Sequence, residues 1–112
     1  MRRTRREGEA EVASLAVVIR TLCPYTVVYE PALRLLADRL PVLCCFHGVD
    51  CSAWEEALDW VMIETGRDVE LFALTSSHPG EDENEVLDFA RACSTHGTTE
   101  LLCMTLPESV AI

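Results

Sequence analysis

The sequence predicts a single α/β domain, in two or three layers, around a mainly parallel sheet of about four strands. Short apolar runs alternate with segments of helical periodicity in the order βαβαβαβ, the pattern of right-handed crossovers between parallel strands. The 112 residues suit one hydrophobic core rather than two. We expect a flexible basic arm over residues 1–11 and the domain over residues 12–112.

The first apolar segment, residues 12–19, fits either a strand or a helix. Val12, Leu15 and Ile19 could share a helical face, whereas Val17 to Ile19 are three consecutive β-branched residues with Pro24 soon after them. Periodicity alone does not decide between the two. The β-branched run and the proline favour a strand.

A helix and a central strand follow. Pro31 suits a first helical turn, and the helix should end before Pro41; its predicted inward residues are Leu33, Leu36, Ala37 and Leu40. Residues 42–46 are uniformly apolar and end at His47 and Gly48. Such a run indicates a strand that is covered on both faces.

The second half of the chain predicts two more helices and two more strands. One helix is capped by Asp50 or Ser52 and ends at Gly66. A strand is predicted over residues 69–74, a loop over 75–80, a helix over 81–92 and a last strand over 98–106. The predicted inward residues of these two helices are Trp54, Ala57, Leu58, Val61, Met62, Val86, Phe89, Ala90 and Cys93.

The charge of the chain limits its partners. The formal net charge is −10, and leaving out residues 1–7 leaves 5 basic and 18 acidic side chains, a net charge of −13. Such a body repels phosphate backbones, so we expect no nucleic-acid binding. The chain contains no lysine, which excludes a phosphate-loop lysine and Schiff-base chemistry. The charge instead favours a basic protein partner.

The sequence predicts a cytoplasmic protein without membrane segments. No apolar run approaches the roughly 20 residues that span a bilayer, and acidic residues at positions 7, 9 and 11 interrupt any secretory signal. The six cysteines form no C-x-x-C pair, and four lie in apolar segments, as expected of reduced thiols packed in a core. The oligomeric state stays open, and a homodimer could form through an edge strand.

Two loops are predicted to meet at the carboxyl edge of the sheet, where parallel α/β proteins bind ligands. If the chain is an enzyme, Cys51 at a helix start is the candidate nucleophile, with His78 or His47 as base and Asp50 as orienting carboxylate. Alternatively, Asp50 merely caps the helix and the histidines are structural. Zinc could in principle bind His47, Cys51, His78 and Glu81, but their spacing matches no compact zinc signature. We predict neither metal nor cofactor.

Binding candidates lie elsewhere in the sequence. Trp60 falls off the apolar stripe that contains Trp54 and could anchor a partner. Glu81, Asp82, Glu83 and Glu85 could receive a basic partner. The alternative is a solvated first helical turn, which acidic residues stabilise.

Two motifs resemble a small bacterial family known only as a domain of unknown function. They are D-C-S-A-W-E-E-A-L-D-W at residues 50–60 and T-S-S-H-P-G-E at residues 75–81. The family pattern has G-x-D-C-S-x-W with two acidic residues and a later aspartate, then T-T-x-H-x-x-E. The resemblance spans residues 15–105 and implies a compact α/β domain with a strand at residues 12–19, but no activity. Ser76 and the Pro79–Gly80 pair depart from the pattern.

Taken together, the sequence favours a non-enzymatic, acidic protein-interaction module, immunity-like or regulatory, that masks a basic partner. The supports are the anionic body and the absence of a complete catalytic signature. The competing hypothesis is a small cysteine-dependent enzyme that uses Cys51 with His78 or His47.

Overall fold

The computed structural model describes residues 14–66, 74–93 and 99–107. Within these ranges lie four strands, β1 (Ser14–Thr21), β2 (Leu43–Gly48), β3 (Leu74–Ser77) and β4 (Thr99–Leu106). The helices are α1 (Glu30–Asp38), α2 (Cys51–Glu64) and α3 (Glu83–Cys93), with a 3-10 turn at Val27–Tyr29 before α1. The predicted α/β class is confirmed.

The four strands form one parallel sheet in the order β3-β2-β1-β4. In the centre of the register, Val17 of β1 lies opposite Cys44 of β2 and Leu102 of β4. The two inner strands contain uninterrupted apolar runs, at residues 15–19 and 43–46, because both of their faces are covered there. β3 and β4 are the edges.

Helices cover both faces of the sheet, so the domain has three layers. Successive side chains of a strand point to opposite faces. On one face Val17, Ile19, Cys44 and Phe46 pack with residues of α1 and α2. The other face is smaller, and there Ala16, Val18, Leu43 and Cys45 pack with Val86 and Ala90 of α3.

The first strand and the central strand were predicted correctly within the described residues. β1 begins at Ser14 and continues to Thr21, so the helical alternative for this segment is wrong. The arm at residues 1–11 and the predicted strand residues 69–73 lie outside the described residues. Across residues 14–66, 74–93 and 99–107, the helices are too short or too polar to span a bilayer.

The prediction of a loop over residues 75–80 was wrong at its start. Thr75, Ser76 and Ser77 belong to β3 and pair with Cys44, Cys45 and Phe46 of β2. Threonine and serine can occupy this edge strand because their hydroxyl groups reach polar partners: Thr75 and Ser77 meet side chains of α2, and Ser76 meets His78.

Two predicted helix ends also need correction. Leu40 is not inward: it is 44% exposed, with a left-handed φ of 55°, because α1 ends at Asp38. α3 begins at Glu83 rather than Glu81, because Asp82 and Glu85 exchange backbone-to-carboxylate hydrogen bonds of 2.8 and 2.9 Å, a capping box.

The inward face of α3 is also narrower than its sequence pattern suggests. Val86 and Ala90 are buried as predicted, but Phe89 is 39% exposed and Cys93 is exposed.

Candidate functional site

The turn between β2 and α2 is fixed by backbone constraints. Gly48 has a φ of 108°, and a Cβ atom there would lie 2.4 Å from the carbonyl oxygen of Thr21. The Thr21 hydroxyl lies 2.6 Å from the Val49 carbonyl oxygen and 3.1 Å from that of His47. The glycine and the threonine together hold the end of β2 against the end of β1.

Asp50 precedes α2 but its side chain does not cap the helix. Its φ of 56° is left-handed, and its carboxylate makes no hydrogen bond to the first turn of α2. Instead, the backbone N–H of Tyr25 donates to Asp50 Oδ2 at 3.0 Å. The capping alternative of the sequence analysis is therefore wrong for this side chain, which ties the β1–α1 connection to the start of α2.

Cys51 lies in the hydrophobic core, 2% exposed, on the face of the sheet that α1 and α2 cover. Trp54, one turn later, is fully buried as predicted. Its Nε1 donates to the carbonyl oxygen of Cys23 at 2.8 Å. Tyr29 stacks on its ring at 5.2 Å between centroids, and Tyr25 meets it edge-on at 5.1 Å. The start of α2 thus anchors the connection from β1 to α1.

His47 follows Phe46 on β2 and therefore points to the opposite face of the sheet, that of Cys45 and α3. It is 5% exposed, and its Nε2 makes no hydrogen bond within the part of the chain that the structure describes. Burial lowers the pKa of His47, and Arg20 and His78 lower it further, while Glu83 and Asp82 act in the opposite sense. The imidazole is therefore held towards its neutral form.

His78 is buried on the α3 side as well. Its Nε2 lies 2.8 Å from the Ser76 hydroxyl oxygen, and its Nδ1 lies 3.2 Å from Glu81 Oε1. The ring packs edge-on against Phe89, with 4.7 Å between centroids. Both ring nitrogens therefore already have partners from β3 and from the approach to α3.

The structure thus brings the two histidines to one face of the sheet and leaves Cys51 on the other. No hydrogen bond among the described residues joins Cys51 to His47, His78 or Asp50. The catalytic role of these residues stays a prediction, and the geometry gives the Cys51 thiol no base. Sequence reasoning located the carboxyl edge correctly, but it did not resolve which face each side chain takes.

A polar contact between α2 and β3 was missed by the sequence analysis. The hydroxyl oxygens of Ser52 and Ser77 lie 3.0 Å apart. The Thr75 hydroxyl oxygen lies 2.9 Å from both Glu55 Oε2 and Asp59 Oδ1. Positions 52, 55 and 59 share one side of a helix, so their spacing was the available signal once Thr75 was known to be in a strand.

Asp59, at one end of this contact, is partly buried. Burial raises the pKa of Asp59; the Thr75 bond lowers it, and the charges of Glu55 and Glu56 raise it. On the neighbouring strand β2, burial raises the pKa of the Cys44 thiol to about 12. Cys44 is therefore an uncharged core residue at neutral pH.

Four exposed carboxylates occur within five residues at the start of α3: Glu81, Asp82, Glu83 and Glu85, hereafter the acidic cluster. Asp82 and Glu85 cap the helix, whereas Glu81 contacts His78. Burial raises the pKa of the Cys103 thiol of β4, and the nearby Glu83 raises it further, whereas Arg91 lowers it. No arginine of the described ranges forms an ion pair with any of the four.

Trp60 is exposed over 58% of its surface, and Ile63, one turn later, over 51%. Both lie on α2, whereas the acidic cluster lies on α3, across the sheet. The two predicted binding features therefore belong to separate surfaces. Among the residues that the structure describes, no group of three or more His, Cys, Asp or Glu side chains could hold a metal ion.

Comparison with known proteins gives a family without an assigned activity. No curated protein and no solved structure matches the chain. A family model described as "Domain of unknown function (DUF7684)" matches residues 6–107, nearly the whole length. The chain therefore belongs to this family.

Proposed function

We propose that this protein is a non-enzymatic interaction module that binds a basic protein partner through the acidic cluster. The observation that carries the proposal is the group of four exposed carboxylates at the start of α3, without arginine partners among the described residues. An exposed group of like charges attracts a cationic surface and speeds its association.

Two carboxylates of the acidic cluster cap α3, and the other two are available to a partner. Asp82 and Glu85 satisfy backbone N–H groups at the start of α3, so their charges are held in place by the helix. Glu81 and Glu83 cap no helix N–H group and are exposed to a ligand, although Glu81 also contacts His78. A guanidinium group suits such carboxylates because it can donate two parallel hydrogen bonds to one of them.

The anionic body supports a masking role. A net charge of −13 without residues 1–7 extends the attraction beyond the cluster itself, over about one screening length of 8 to 10 Å at physiological salt. An immunity-like or regulatory protein of the cytoplasm that covers a basic partner has these properties, and six free cysteines are compatible with that compartment. The exposed Trp60 supplies a separate surface that this proposal does not need.

The test uses the full chain and a hexa-arginine peptide as the cationic probe. We expect Glu81→Gln with Glu83→Gln to weaken binding about three- to tenfold, because each exposed charge pair contributes a few tenths to about 1 kcal/mol. Asp82 and Glu85 are left unchanged, since their loss would destabilise α3. Isothermal titration calorimetry at about 0.1 M and about 1 M salt measures the affinity and its screening.

The matched control removes the same charge elsewhere. Glu56→Gln with Glu100→Gln changes two exposed carboxylates, one on α2 and one on β4. We expect a much smaller loss of affinity for this control. Equal losses for the two double variants would show that only net charge matters, and binding unaffected by salt would contradict the electrostatic proposal altogether.

A further inference from the structure

The contact of Thr75 with two carboxylates contains one hydrogen too few. The Thr75 Oγ1 atom lies 2.9 Å from Glu55 Oε2 and 2.9 Å from Asp59 Oδ1. A threonine hydroxyl has a single hydrogen to donate, whereas an ionised carboxylate can only accept. With both carboxylates ionised, the two mutually repelling groups would have to share that one hydrogen.

A proton on one carboxyl group removes this conflict. The hydroxyl oxygen also has lone pairs, so it can accept from a protonated carboxyl group while it donates to the ionised one. Both contacts then contain a hydrogen. The same proton removes the repulsion between two carboxylates that lie one helical turn apart on α2.

The surroundings favour Asp59 as the protonated partner. Asp59 is half-buried at the border of the core, and burial, the largest influence, raises its pKa. The charged groups acting on it are Glu55 and Glu56 of α2, both anionic, and the nearby Cys44 of β2 is a neutral thiol. The Thr75 hydrogen bond favours a charge on Asp59, but its effect is smaller than that of burial, and the neighbouring charges oppose it.

We propose that Asp59, Thr75 and Glu55 form a pH-sensitive latch between α2 and the edge strand β3, closed by one proton on Asp59. In the closed latch the Asp59 carboxyl group donates to Thr75, and Thr75 donates to Glu55. Loss of the proton leaves two repelling carboxylates facing one hydroxyl hydrogen. The hydroxyl groups of Ser52 and Ser77, one turn away on α2, are also in contact across this helix–strand interface.

The latch makes folding depend on pH in a defined direction. In the unfolded chain Asp59 loses its proton near the ordinary aspartate pKa of 3.8. In the folded chain its pKa is higher, so the proton is kept to a higher pH. Between the unfolded and the folded pKa the folded state binds more protons, so its stability falls as the pH rises. One proton corresponds to a folding equilibrium constant that falls up to about tenfold per pH unit in this window.

The direct test follows the carboxyl carbon resonances of the full chain by NMR as a function of pH. We expect Asp59 to titrate at a higher pH in the folded chain than the aspartates of the urea-unfolded chain, which serve as references. Titration of Asp59 together with these references would overturn the proposal. A proton found on Glu55 instead of Asp59 would overturn the assignment of the closing proton.

Variants then separate the latch from simple charge removal. Asp59→Asn supplies an amide that can donate to Thr75 without a titratable proton, so this part of the pH dependence of unfolding should disappear. Glu56→Gln removes a charge from the same helix without touching Thr75, so it should keep that dependence and only move it to a lower pH. If the two variants lose it equally, general repulsion along α2 explains the effect and the latch is refuted.

Discussion

Replacement of Trp54 by phenylalanine should destabilise the protein by about 2 to 3 kcal/mol. The indole is fully buried, and its Nε1 donates a 2.8 Å hydrogen bond to the Cys23 carbonyl oxygen. Loss of that bond costs about 1 kcal/mol. The smaller ring also leaves space between Tyr25 and Tyr29, which adds about 1 to 2 kcal/mol. Urea unfolding followed by circular dichroism measures the difference.

The matched control is Trp60→Phe on the same helix. Trp60 is 58% exposed, so the same chemical change should alter the unfolding free energy by no more than about 0.5 kcal/mol. Thermal unfolding should show the same contrast, with a fall in Tm of about 10 °C for Trp54→Phe. Equal destabilisation by the two variants would refute the role of Trp54 as the anchor of the β1–α1 connection.

Two further predictions concern the other candidate site residues. Cys51 should react with iodoacetamide far more slowly in the folded protein than in urea at the same pH, because its side chain is 2% exposed in the core. Peptide mass spectrometry gives the reaction rate of this residue. A reaction in the folded protein as fast as that in urea would revive the nucleophile hypothesis. Stability should also fall as the pH drops below about 6.5, because the folded pKa of His47 is lowered by burial and the unfolded chain then binds more protons. His47→Gln should remove this loss of stability at low pH. If the unfolding free energy measured by urea titration falls with pH as much in the variant as in the unaltered protein, His47 does not cause the loss.

The elements of the fold could be predicted because apolar periodicity determines which residues a sheet and its helices bury. The consecutive run around Val17 and the apolar run before His47 became the two inner strands. The β3 strand was misplaced because its side chains at Thr75 to Ser77 are polar. Their burial depends on partners some 20 residues away in sequence, and a local pattern contains no information about such contacts.

The site was harder to predict than the fold, because a strand places neighbouring residues on opposite faces. His47 and Cys51 are four positions apart in sequence, yet the sheet lies between them. Asp50 looked like a helix cap, but its left-handed backbone directs the carboxylate to the Tyr25 N–H instead. Such outcomes depend on one backbone angle at a turn, which residue type does not determine.

The measurement that tests the proposed function most directly is a titration of the isotope-labelled full chain with hexa-arginine, followed by amide NMR shifts. We expect the largest shifts at residues 81–85, which hold the acidic cluster, and we expect these shifts to shrink as salt is raised to about 1 M. Shifts spread evenly over the acidic residues of α2 and α3, or confined to the surface around Trp60, would contradict the proposed function.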